Sequence, residues 1–315
     1  MKLEDLVEHY IKHRESFGEP FNKKSRYLLK QFIRKTGRDA TVENISTEMV
    51  FTFLNGKTEK ITSSWFVKQR ALGSLFKYAI SRGYINKSPL PDFSPQKPPR
   101  FIPYIYGNGE LKRLFDSALT YQKRPSPTDP HMIRTILILT YTLGLRRRET
   151  LLIKLKDIDL KKRTILIEQS KYYKTRYVTF NQQVGDVIIK YLSRRKDMGR
   201  PQSPDTYLFI GKKDKPLSGS LLDVIFSKIR TEAGIRREDG AVYQPRIYDL
   251  RHTFATKRLI NWYEEGKDVQ QLLPVLSTFL GHQRLDYTSV YLSMTDKLLE
   301  EASNKFNNYV NKHQL

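Results

Sequence analysis

Six side chains in a fixed order, Arg146, Lys171, Tyr248, Arg251, His282 and Tyr291, are of types that can surround one phosphodiester and attack it. A phosphodiester resists nucleophiles because it is already negative and its charge grows in the pentacoordinate transition state. Fixed cations answer that difficulty: two guanidinium groups can neutralise the non-bridging oxygens, each such preorganised donor being worth ~3–4 kcal/mol of barrier in comparable oxyanion sites. A tyrosine such as Tyr291 can then attack in line and form a phosphotyrosine, expelling a 5′ oxygen that takes a proton from Lys171 and leaves as a hydroxyl. No water is consumed. The bond energy stays in the covalent link, so a hydroxyl from another strand can attack it without ATP or a ligase.

Each residue taken alone has a plainer reading. Arg146 follows a helix stop in Thr142-Leu143-Gly144-Leu145-Arg146, where a guanidinium can fork onto two phosphate oxygens, but Arg146, Arg147 and Arg148 together equally suit a solvated basic face. Lys171 sits in a hairpin turn with Lys174 and Arg176, and such turns are often lysine-rich for solubility. Tyr248 and Arg251 lie three apart on one helix and share a face, with Leu250 and Phe254 on another; His252 reads as a packed or supporting residue. His282 follows Gly281, which permits a tight turn or a close backbone approach, and Tyr291 is one of nineteen tyrosines.

The elements that must position these residues are legible from periodicity and proline. Leu3, Leu6, Val7, Tyr10 and Ile11 recur at helical spacing, as do Tyr27, Leu28, Phe32 and Ile33, and a third helix spans 62–81 with Gly83 beyond it. Residues 1–88 thus form a helical bundle. Six of the fifteen prolines fall from Pro89 to Pro103, marking 89–104 as an extended linker, and 105–315 as a second domain. That domain opens with helices over 109–119 and 132–143, the latter stopped by Gly144; strands follow at 164–168 and 176–180, joined by a turn at 170–175, and the pattern is helical again from 187. The expected fold is mainly α with one small antiparallel β-sheet.

Composition bounds the partner. Over 315 residues, 56 Lys and Arg against 33 Asp and Glu give a net charge of +23, spread along the chain, which favours a polyanion and nucleic acid first. An anionic membrane would call for a local basic amphipathic segment, and no apolar run of ~20 residues could cross one. There is no cysteine, hence no disulfide and no thiolate metal site, and the charged start lacks the apolar core of a secretion signal, which implies a cytoplasmic protein. Asp157 with Asp159 is the best local carboxylate pair for a metal-dependent nuclease, but turn formation explains both; His9 and His13 have zinc-like spacing, yet position 10 is Tyr, so a solvated helix face is the better reading. No metal or cofactor is implied.

Together these motifs resemble those of the tyrosine recombinases, or phage integrase family: Gly144-Leu145-Arg146 with Glu149, then Lys171, Tyr248-Asp249-Leu250-Arg251-His252, Leu280-Gly281-His282 and Tyr291. The resemblance covers the second domain and extends more weakly to the first, which is similar to the family's core-binding domain. It implies that Arg146 and Arg251 clamp the scissile phosphate, that Lys171 and His282 assist, that Tyr291 is the nucleophile, and that Glu149 supports the site from behind. Lys68, Arg70, Lys174 and Arg176 are the expected DNA contacts. One position departs: Tyr248 stands where the family has the histidine of a His-x-x-Arg motif, and a phenol with a reference pKa of ~10 is a poor base at neutral pH.

The resemblance further implies double-stranded DNA as partner, two domains closing on it, and a homo-oligomer, a tetramer on DNA, joined through the C-terminal helix whose apolar stripe is Leu298, Leu299, Ala302, Phe306 and Tyr309. From the stripe alone, folding back as core is equally open. No module precedes the bundle, so no separate arm-site domain is expected. The competing functions are DNA relaxation like that of a type IB topoisomerase and a non-catalytic DNA-binding regulator.

Overall fold

Two helices in the first hundred residues start on side-chain caps: Asn22 Oδ1 accepts from the backbone N–H of Lys24 and Ser25, and Ser46 Oγ from that of Met49. In the computed structural model the described residues are 1–294 without 19, 38, 57–60, 99–101, 123–125, 127, 169–174, 212–213 and 242. The chain divides into two units, Met1–Phe101 and Ile102–Leu315.

The first unit contains α1 (Leu3–Glu15), α2 (Lys23–Thr36), α3 (Thr47–Asn55) and α4 (Ser63–Ser81). The stripe Leu3, Leu6, Val7, Tyr10 and Ile11 is buried, and meets Phe32, Phe53, Trp65 and Phe76 in one apolar cluster. Periodicity does not reveal α3, whose nine residues are too few to establish a repeat. Tyr27 leaves the expected stripe and is 57% exposed. Leu90 packs on the cluster, so this core reaches into the proline-rich stretch.

The second unit is likewise mostly helical. Its elements are α5 (Asn108–Thr120), α6 (Pro130–Thr142), α7 (Arg147–Leu151), β1 (Ile158–Asp159), β2 (Thr164–Ile167), β3 (Arg176–Thr179), α8 (Gln182–Asp197), α9 (Gly219–Glu232), α10 (Ile247–Glu264) and α11 (Val269–Leu280). Residues 286–294 are helical as well. Asp129 and Pro130 start α6, which is buried almost all round, from Met132 to Thr140, and forms the axis of the unit's core. Tyr106 ties the incoming chain to α10: its N–H donates to Thr253 Oγ1 at 3.0 Å and its hydroxyl to the Arg246 carbonyl at 3.2 Å.

The small sheet runs β1-β2-β3, antiparallel throughout. Its register sets Ile165 opposite Val178 and Ile167 opposite Arg176. Directly opposed residues of an antiparallel pair share a face. Because Ile165, Ile167 and Val178 are buried, Arg176 is carried inward with them. Asp157 and Asp159 accept backbone N–H bonds from Lys154 and Lys162, which is the turn role that their spacing suggests. No described helix is long and apolar enough to cross a membrane.

Candidate active site

Three consecutive carbonyls at the end of α11 each receive a different arginine. Phe279 O accepts from Arg176 Nε at 2.8 Å, Leu280 O from Arg251 Nη2 at 2.6 Å, and Gly281 O from Arg146 Nη2 at 2.8 Å. Terminal helix carbonyls have no partner within their own helix, and cations are favoured at that end of the dipole. Arg251 also donates through Nη1 to Gly144 O at 2.6 Å, joining the end of α6 to the end of α11. Two glycines make the convergence possible. At Gly144, with φ +57°, a Cβ would lie 2.5 Å from the Phe254 ring; at Gly281, with φ +65°, it would lie 2.8 Å from the Arg176 guanidinium.

Glu149 binds this group from the inner side. Its carboxylate accepts Arg146 Nη1 at 2.7 Å, both terminal nitrogens of Arg176 at 3.1 and 2.9 Å, and the backbone N–H of Arg146 at 2.9 Å, with Arg251 3.9 Å away. Burial would raise its carboxyl, but Arg176 and then Arg146 more than offset that and hold it at about 2. Three guanidinium groups against one carboxylate leave a net +2 at the edge of the core. A buried excess of that kind is costly without an anion. Burial, and then Arg146, bring Arg251 down to about 10, so it still carries its charge at neutral pH.

Tyr291 lies against this charge on the 286–294 helix, 2% exposed. Its hydroxyl is 2.9 Å from His252 Nδ1. Burial lifts the phenol to about 12, against the pull of Arg251, which bonds to it, and of Arg146. The His282 ring stacks on Tyr291, centroids 6.3 Å apart and planes 17° from parallel, and its Nδ1 is 2.7 Å from Thr288 Oγ1. Burial first, then Arg251, push the His252 imidazole down to about 4 and the His282 imidazole to about 3. Both rings are therefore neutral at physiological pH. A cavity of about 430 Å³ is lined by Arg146, Tyr248, His252, His282, Tyr287 and Tyr291, among others. A second cleft of about 530 Å³ shares Arg146 and Tyr248 and adds Arg147, Arg148, Arg230 and Arg246.

Arg146, Arg251, His282, Tyr291 and the supporting Glu149 are thus brought together, with Tyr248 at the cavity wall, 37% exposed. Lys171 and Lys174, and the C-terminal stripe from Leu298, lie outside the described residues. Two of the expected DNA contacts are held by the protein itself. Arg176 is turned inward by the strand register onto Glu149 and Phe279, and Lys68 donates to the Phe53 and Leu54 carbonyls at 2.8 and 3.0 Å, closing the end of α3. Arg70 is exposed on α4. His252, read from the sequence as a packed or supporting residue, touches the Tyr291 hydroxyl. Its spacing of four from Tyr248, which puts both on one helical face with rings 5.0 Å apart, is the signal that could have found it.

The sequence pattern of the phage integrase family matches residues 108–297, more than half of the chain, and the chain belongs to that family. It is a tyrosine recombinase, an enzyme that breaks and rejoins DNA strands. An integrase/recombinase of Sinorhizobium fredii, y4rB, is 28% identical over 298 residues, covering 94% of each chain. The tyrosine recombinase XerC of Bacillus pumilus is 29% identical over 240 residues, covering 75% of this chain and 72% of its own. Among solved structures, a lambda integrase tetramer bound to a Holliday junction superimposes with a TM-score of 0.65 at 18% identity, covering 92% of this chain and 77% of that one, and so shares the fold. These similarities favour recombination over topoisomerase-like relaxation or a non-catalytic regulator.

Proposed function

We propose that this chain carries out site-specific recombination of double-stranded DNA with Tyr291 as nucleophile. The observation that carries this reading is the Tyr291 phenol seated beside a buried arginine group of net positive charge. Arg146 and Arg251 would hold the non-bridging oxygens of one phosphate while Tyr291 Oη displaces the 5′ oxygen and leaves a 3′-phosphotyrosine. Lys171 would protonate the departing oxygen. A 5′ hydroxyl from a second strand then reverses the step, and no nucleotide hydrolysis is required.

Strand exchange needs several active sites on one DNA assembly. We assign the chain a homo-oligomeric state on DNA, a tetramer joined through the segment after Tyr291; lambda integrase is a tetramer on a Holliday junction. The exposed Arg70, together with Lys174, remains a proposed DNA contact. A cytoplasmic location fits a DNA substrate and a chain without cysteine.

Tyr291→Phe is expected to leave site binding nearly intact and to abolish the covalent adduct on a nicked suicide substrate, read by denaturing gel. A surviving adduct would overturn the assignment, and Tyr287, 58% exposed on the same cavity, would then be the next candidate. For Tyr248→His the expected result is equal or faster cleavage, measured by the same gel.

A further inference from the structure

We propose that His252 is the proton acceptor for Tyr291, its Nδ1 taking the phenolic proton as Tyr291 Oη attacks phosphorus. This rests on the reading of Tyr291 as nucleophile. A phenol raised to about 12 does not ionise by itself at neutral pH, so the attack needs a base within reach of the hydroxyl. Tyr248, a phenol, is unsuited to that task. The His282 Nδ1 is engaged with Thr288 Oγ1 at 2.7 Å. His252 Nδ1 lies 2.9 Å from the Tyr291 hydroxyl, within the range for direct transfer, and the ring planes of the two residues are tilted by 56°.

The surroundings hold the ring in the unprotonated form that an acceptor requires, while lowering its basicity. From α10 the imidazole is faced by Arg251, Arg246 and the Tyr248 ring, and from the following segment by Tyr291 and His282. Burial and the two arginines keep it neutral, so in the tautomer with hydrogen on Nε2 the Nδ1 lone pair is available to the phenol. A phosphodiester held by Arg146 and Arg251 adds negative charge nearby, which favours the imidazolium. The step balances: the Oη–H bond breaks and its proton goes to Nδ1, the Oη–P bond forms, the P–O5′ bond breaks, and the 5′ oxygen takes a proton from Lys171. In rejoining, His252 returns its proton to the departing Tyr291.

His252→Asn places an amide oxygen near the Nδ1 position, where it can accept a hydrogen bond but not a proton. Adduct formation on a suicide substrate is expected to slow about 10²–10⁴-fold at matched site occupancy. Replacing Tyr291 by 3,5-difluorotyrosine, a more acidic phenol, should recover most of that loss in the variant and change the unaltered chain little. Equal rates for His and Asn, or a loss that the fluorinated phenol does not reduce, would overturn the proposal. Should His252→Asn fail to melt cooperatively, His252→Gln carries the same comparison. An adduct persisting in Tyr291→Phe would instead overturn the nucleophile assignment, so the two failures are distinct.

Discussion

The two units hold their positive charge in opposite ways. Among the described residues of Met1–Phe101, no charged or polar side chain is buried: the core is aliphatic and aromatic, and Lys68 reaches only as far as the carbonyls that end α3. The second unit buries Glu149, Asp249, Arg195, Arg237 and Arg251, and turns Arg176 inward beside them. Charges removed from water cost several kcal/mol each unless paired. An excess of buried cations at one spot therefore marks a place built for an anion, whereas the exposed lysines and arginines of the bundle need no such explanation. Two similarly basic stretches of sequence thus differ in what their charge does: in one it coats a surface, in the other it forms a site.

That contrast is open to direct challenge. Glu149→Ala should destabilise the second unit by about 3–5 kcal/mol, since it leaves three guanidinium groups without their shared carboxylate; denaturant unfolding measures this, and a loss under ~1 kcal/mol would break the comparison. Acid is a second challenge, and its effects add from group to group. His252 and His282 titrate near 4 and 3 in the fold against an ordinary 6.5, so below pH ~6.5 the unfolded chain binds protons that the native one does not. Stability must then fall as pH drops from about 6.5, by up to ~1.4 kcal/mol per pH unit for each ring. Glu149, held at about 2 against 4.5, extends the loss below pH 4.5, and its stabilisation is fully present only above that value. Unfolding followed across pH 3–7, with Asn at 252 or 282, should show a shallower slope. The smallest effect is expected in the bundle: Lys68→Met removes two bonds to helix-end carbonyls and should cost about 1 kcal/mol.

Much of the site was open to inspection in the sequence because its chemistry is written in residue type. Arginine, lysine, histidine and tyrosine in this order have few common uses, and Arg146, Arg251, His282 and Tyr291 do meet. The helices of the bundle with long apolar stripes were equally plain, and so were the hairpin strands, read as 164–168 and 176–180 against Thr164–Ile167 and Arg176–Thr179. Short elements escaped for lack of a period: α3 has nine residues and β1 has two. Arg176 and Lys68 have intrachain partners that the sequence did not reveal, for another reason. A basic residue in a turn or on a helix looks solvated until its long-range partner is known, and those partners lie 27 and about 15 residues away along the chain.

From the chain alone, then, came the inventory of reactive groups, the helical character of both units and the polyanionic partner, all of which depend on side-chain type and near-neighbour spacing. Folding decided the direction of Arg176, the meeting of three arginines on carbonyls 279–281, and the contact of His252 with Tyr291. Each of those depends on strand register or on where one helix ends relative to another. Such distances are set by packing between segments far apart in sequence, which no local pattern encodes.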